Sequence, residues 1–163
     1  MKRHESLVPL SRDHHFGLIM AQQLILGRAT NPRADWPTDR AQQVPRLVKF
    51  FESDLRPHFD VEEAHVFPAA SRSVAAGDRQ VQALLADHDA MRAMICALEA
   101  DPESGLDERL PAFGHLLKAH IHKEEHVLFQ QMQAACAPEE LEALGVRVAA
   151  AHDTAGPTCK VYL

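Results

Sequence analysis

Two ten-residue segments carry the residue types best suited to chemistry: HFDVEEAHVF at 58–67 and HIHKEEHVLF at 120–129. Each has His first, an apolar residue next, Glu-Glu at the fifth and sixth positions and Phe at the tenth. On a helix, residues four apart lie about 40° apart around the axis and one turn along it. His58 and Glu62 therefore point the same way, as do His120 and Glu124. Glu63 and Glu125 lie about 140° from those histidines and are expected to face water.

The paired groups sit on apolar stripes. Phe113, Leu116, Leu117, Val127 and Leu128 share the face of His120, and Phe51 and Leu55 share that of His58. His88 lies among Val81, Leu84, Leu85, Met91 and Ile95, and His14 among Leu10, Leu18, Ala21 and Ile25. His15 shares a face with Ser11 and Gln22 instead, so His14 is preferred. Four segments thus offer one core-facing imidazole each, and two of them add a carboxylate. A single such histidine reads as an ordinary hydrogen-bonded core residue. Two buried carboxylates cannot stay ionised unless paired or coordinated. Salt bridges within each His–Glu pair would meet that need, but they leave the two further histidines unexplained. A metal site accounts for all six. A donor set of four imidazoles and two carboxylates, without thiolate, suits iron, manganese or zinc. Six ligands exceed one tetrahedral ion, and two glutamates can bridge two ions, for which iron is the natural choice.

The elements that must position these groups read as helix throughout. Ala, Leu, Glu, Gln, Arg and Met dominate, and strand-like alternation is missing. The first helix is expected from Leu10 to Gly27, the second from Thr38 to Phe67, the third from Asp78 to Ala100 and the fourth from Asp107 to Ala135. Pro45 and Pro57 interrupt the second, with a kink or late start at Pro45, and Pro68 ends it before a loop over 68–77. Pro138, followed by Glu139 and Glu140, opens a short fifth helix. The fold class is all-α: an up-down-up-down four-helix bundle with a short C-terminal fifth helix and tail. Length suits a single domain over 1–163, its core spanning about 7–135 and an appendage about 136–163. The tail from His152 to Leu163, with Cys159 and Tyr162, has no assigned role.

Composition narrows the partners. The net charge of −6 denies the chain a basic footprint for nucleic acid. No apolar run reaches the roughly 18 residues that span a bilayer, and the start MKRHESLVPL lacks the apolar core of a secretory signal. Three cysteines without CxxC spacing suit a reducing, cytoplasmic setting. The 11 histidines are dispersed, which excludes a tag.

DHH at 13–15, HFDVEE at 58–63, DHD at 87–89 and HIHKEEHVLF at 120–129 together resemble the hemerythrin-like family, or HHE cation-binding domain, over about residues 7–135. That resemblance implies a cofactor of two iron ions with an oxo or hydroxo bridge. His14 and His58 would hold one iron, His88 and His120 the other, and Glu62 and Glu124 would bridge them. The family's oxygen carriers have a second histidine four residues after the one on helix 3. Here Arg92 stands at that position, which implies a more open iron and argues against pure oxygen carriage. His65 shares the face of His58 and is either an extra ligand, a donor to one, or a residue at the mouth. His115, His122 and His126 read as surface residues. The implied function is binding of, or reaction with, a small oxidant: O2, NO or peroxide. An iron- or oxygen-responsive sensor or iron-handling module without catalysis, and a zinc-bound or metal-free structural bundle, are the competing readings. No protein partner is indicated.

Overall fold

The computed structural model describes residues 2–154. It is all-α, 83% helical, with no strand among the described residues. Helix α1 (Val8–Leu26) follows one 3-10 turn, Glu5–Leu7. It stops at Gly27, whose φ of 67° is the left-handed cap that glycine adopts without strain. Helix α2 covers residues 40–73, α3 is Gly77–Ala100, α4 covers 106–135 and α5 is Pro138–Thr154. The residues of the tail that carry Cys159 and Tyr162 lie outside the described residues.

Helix α2 departs most from expectation. Asp39, one residue past the expected Thr38, caps its start by accepting the Ala41 amide at 3.0 Å. It then runs through Pro45, Pro57 and Pro68 to Ser73, so residues 68–73 are helix and not loop. Two wide π turns, Phe51–Leu55 and Glu62–Val66, accommodate Pro57 and Pro68. The residues four before Pro57 and Pro68 are Ser53 and Ala64. Both lie inside a π turn: the amides just before the prolines, Arg56 and Phe67, bond to the fifth residue back, Phe51 and Glu62, and this widening makes room for the proline rings against the carbonyls four before them. A third π turn, Glu124–Leu128, interrupts α4. Helix α5 has 17 residues and is not the short element expected. Its Leu144 and Val148 are buried against Leu7 and the neighbouring apolar residues.

The core is two apolar clusters with a polar layer between them. One contains Met20, Leu47, Phe59, Met91 and Leu117. The other contains Leu10, Val66, Leu84, Leu128 and Met132. Along α1 and α3 the chain passes from the second cluster to the first, and along α2 and α4 from the first to the second. His14, His58, Glu62, His88, His120 and Glu124 fall where the clusters change over, all buried.

Close packing of α1 on α4 holds two of these contributors together. A Cβ on Gly114 would stand 2.6 Å from the Ala21 carbonyl oxygen, so backbone meets backbone there. At Gly17 the nearest obstacle is only the flexible tip of Ile121. Gly114→Ala is expected to force the helices apart and cost about 1–3 kcal/mol, read as a lower urea midpoint. Gly17→Ala should cost clearly less.

Candidate metal centre

Four helices converge on one layer: α1 brings His14, α2 His58 and Glu62, α3 His88, and α4 His120 and Glu124. Each of the six is 5% exposed or less. Their donor atoms form two sets of four, each within 4.8 Å: His14, His58, Glu62, Glu124 and His88, His120, Glu62, Glu124. Both sets use the same two glutamates. The Nε2 atoms of His14 and His58 are 3.1 Å apart, as are those of His88 and His120. Glu62 Oε1 lies 3.0 Å from His58 Nε2, and Glu62 Oε2 lies 3.4 Å from His88 Nε2. Glu124 Oε2 is 3.1 Å from His14 Nε2 and 3.3 Å from His120 Nε2.

The outward nitrogens show what the inward ones are for. Each Nδ1 meets a carboxylate: His58 meets Asp13 at 3.1 Å, His88 meets Glu63 at 2.7 Å, His120 meets Asp87 at 3.3 Å and His14 meets Glu125 at 2.7 Å. The order is cyclic, since α1 serves α2, α2 serves α3, α3 serves α4 and α4 serves α1. An ionised carboxylate only accepts, so each imidazole donates its Nδ1–H outward and turns its Nε2 lone pair inward. The four oxygens of Glu62 and Glu124 are buried and complete no hydrogen bond, despite the nearby nitrogens. Lone pairs and carboxylate oxygens thus face one another in a dry core. That arrangement is costly unless positive charge enters. Imidazole and carboxylate donors in two shared sets fit a pair of transition-metal cations.

Without a cation, protons are the available positive charge. Burial would lower the pKa of His58, but Glu62 and Asp13 outweigh it and raise the value from 6.5 to about 9. His14 is raised in the same way against its burial, by Glu124, Glu125 and Glu62. Burial pushes Glu62 up, yet His58, His14 and His88 bring it well below the usual range. Glu125 falls to about 2, because His14, Ser11 and Arg3 overcome its partial desolvation. Glu63 and Asp87 are lowered likewise, Glu63 by His88 and Arg92 and Asp87 by His120 and Lys123.

All six residues singled out from the sequence are brought together here. His15 is exposed and His65 half-buried, and neither joins a donor set. His115, His122 and His126 are exposed. The expectation that Glu63 and Glu125 face water is wrong. Turning 140° from their own histidine points them at the next helix, where they reach that helix's imidazole. Asp13 and Asp87, each one residue before a core histidine, were missed. The signal was the Asp-His dipeptide in both DHH and DHD.

A family model for the hemerythrin HHE cation binding domain matches residues 9–132. Comparison with curated proteins and with solved structures gives no match.

Glu63→Ala and Glu125→Ala each remove an acceptor from one imidazole. Each is expected to weaken cation binding roughly 10–100-fold, measured by equilibrium dialysis. Glu62→Ala and Glu124→Ala each remove a carboxylate common to both donor sets and should abolish loading of the pair.

Proposed function

The chain belongs to the hemerythrin HHE cation-binding domain family, and from that premise we propose that it is a non-haem di-iron protein whose ligand is a small oxidant: O2, NO or peroxide. His14 and His58 hold one iron, His88 and His120 the other, and Glu62 and Glu124 are common to both. The observation that carries this reading is that the two donor sets share two glutamates. One ion would leave half the imidazoles unused. The alternating order of the apolar clusters along successive helices supports an up-down-up-down bundle around the site.

When bound, a pair of iron ions supplies electrons to a small oxidant or binds it reversibly. The chain's own residues set the conditions. The outward carboxylates hold each imidazole in one tautomer and raise its basicity as a ligand. Phe59 stacks on His88 with centroids 3.7 Å apart, and Phe129 stacks on His14 at 5.6 Å, which keeps bulk water off both rings. A cavity of about 10 Å³, room for about one water-sized molecule, opens beside His14, His58 and His120, with Gly17 and Leu117 in its wall. Room on this scale beside the imidazoles supports a small ligand.

No helix among the described residues is long and apolar enough to cross a membrane, and Cys96 and Cys136 are free thiols. A cytoplasmic setting is part of the proposal.

Iron-loaded protein is expected to carry about two equivalents of iron per chain, one for each donor set. Mixing its anaerobically reduced form with O2 should change the visible spectrum. A change that reverses on removing O2 means binding, whereas continued consumption of O2, NO or peroxide means catalysis. Iron at one equivalent or less, or zinc retained in its place, would overturn the reading.

A further inference from the structure

Two arginines stand in matching positions, one on each half of the metal layer. Arg92, on α3, donates to Glu63 Oε1 at 2.8 Å, and the same oxygen meets His88 Nδ1 at 2.7 Å. Its guanidinium also lies over the Phe59 ring, 5.7 Å from the centroid, and that ring stacks on His88 with an interplanar angle of 15°. Arg3, in the segment before α1, repeats the pattern. It pairs with the Glu125 carboxylate, which meets His14 Nδ1 at 2.7 Å. It lies 5.1 Å over the Phe129 ring, which stacks on His14 at 16°. The two glutamates are the second members of the repeated Glu-Glu pairs. Arg3 lies outside the residues that the family model matches.

One arginine thus reaches one imidazole by two routes, through its Nδ1 acceptor and through the face of its ring. A planar, permanently charged guanidinium can do both at once, and an ammonium cannot match that geometry. Arg3 is itself anchored. It donates to the Glu125 carbonyl at 2.8 Å and to Gln133 Oε1 at 3.1 Å, and Gln133 also accepts the His4 amide at 3.1 Å. Arg92 is held by Asp89 as well, at 3.4 Å.

We propose that Arg3 and Arg92 are paired positioning residues, each clamping one imidazole, so that the segment before α1 tunes one cation position and α3 tunes the other. This deepens the di-iron reading and rests on it for the redox consequence. Each arginine draws negative charge from the carboxylate behind a ligand and adds positive charge near the ions. Both effects favour the reduced ions, so both arginines raise the reduction potential. At the position of Arg92 the chain therefore places a cation that acts on the metal through His88 and not a further ligand.

The test uses the full chain with Arg3→Gln, Arg92→Gln and the corresponding Lys variants. In the zinc-loaded protein (or the metal-free protein, should zinc not be taken up) the Nδ1–H resonances of His14 and His88 are followed by NMR. Arg3→Gln should shift or broaden the His14 signal alone, and Arg92→Gln the His88 signal alone. In the iron-loaded protein each Gln variant should lower the reduction potential, and each Lys variant should lower it less because the charge is kept. The clamp is overturned if neither resonance responds, if each substitution disturbs both alike, or if the potential is unmoved or rises. Should the protein hold no redox-active iron, the di-iron reading fails while the NMR arm still decides the clamp. Melting of each variant separates a local effect from lost fold.

Discussion

Two carboxylates buried in an apolar core, with none of their four oxygens hydrogen-bonded, are the constraint on which the rest of this structure depends. In water each would be solvated, and in a dry interior each costs several kcal/mol unless compensated. The chain does not supply that compensation with lysine or arginine inside the layer. It supplies four imidazoles whose protons are drawn away by an outer ring of acceptors: Asp13, Glu63, Asp87 and Glu125. Every helix of the layer contributes to the ring, and each acceptor serves a neighbouring helix. Removing one therefore disturbs the coupling between two helices as well as one ligand.

The π turns belong to the same constraint. Two of the three begin at Glu62 and Glu124, the corresponding positions of the two repeated segments. Such a turn inserts a residue into the helical bonding pattern and changes which side chains follow on each face; turns of this kind recur at functional sites. Here the turn runs from the glutamate in the layer to the first of the apolar residues beyond it, Val66 before Phe67 on α2 and Leu128 before Phe129 on α4. The prolines after the two π turns of α2 use the same widening. A device that serves the site thereby keeps α2 continuous.

Much of this was legible in the sequence because helical periodicity reports faces. Spacing alone separates His14 from His15, places His88 on the apolar stripe and pairs each histidine with the first glutamate of its segment. It failed where the answer depended on a neighbouring helix. Glu63 and Glu125 leave the face of their own histidine, and no one-helix argument distinguishes water from the next helix along. Asp13 and Asp87 act on His58 and His120, far away in sequence. Proline rules ended α2 too soon because π turns carry no sequence signature beyond the prolines they tolerate. The length of α5 was hidden because Gly145 and exposed Val146 dilute its apolar stripe.

Melting temperature against pH, with and without bound cation, tests the central claim most directly. In the metal-free protein the raised His58 contributes stability that is complete below 6.5 and is lost as pH rises through about 9. Glu125 contributes stability that is present above 4.5 and lost as pH falls through about 2. The metal-free protein should therefore be most stable between these ranges and weaken from pH 6.5 to 9. With cation bound the ligand nitrogens carry no proton in the folded state, and above 6.5 the unfolded chain carries none there either, so this loss disappears over that interval. A melting temperature that falls with pH without cation and stays level with it is the predicted result. Parallel slopes, or a melting temperature that cation leaves unchanged, would contradict the account.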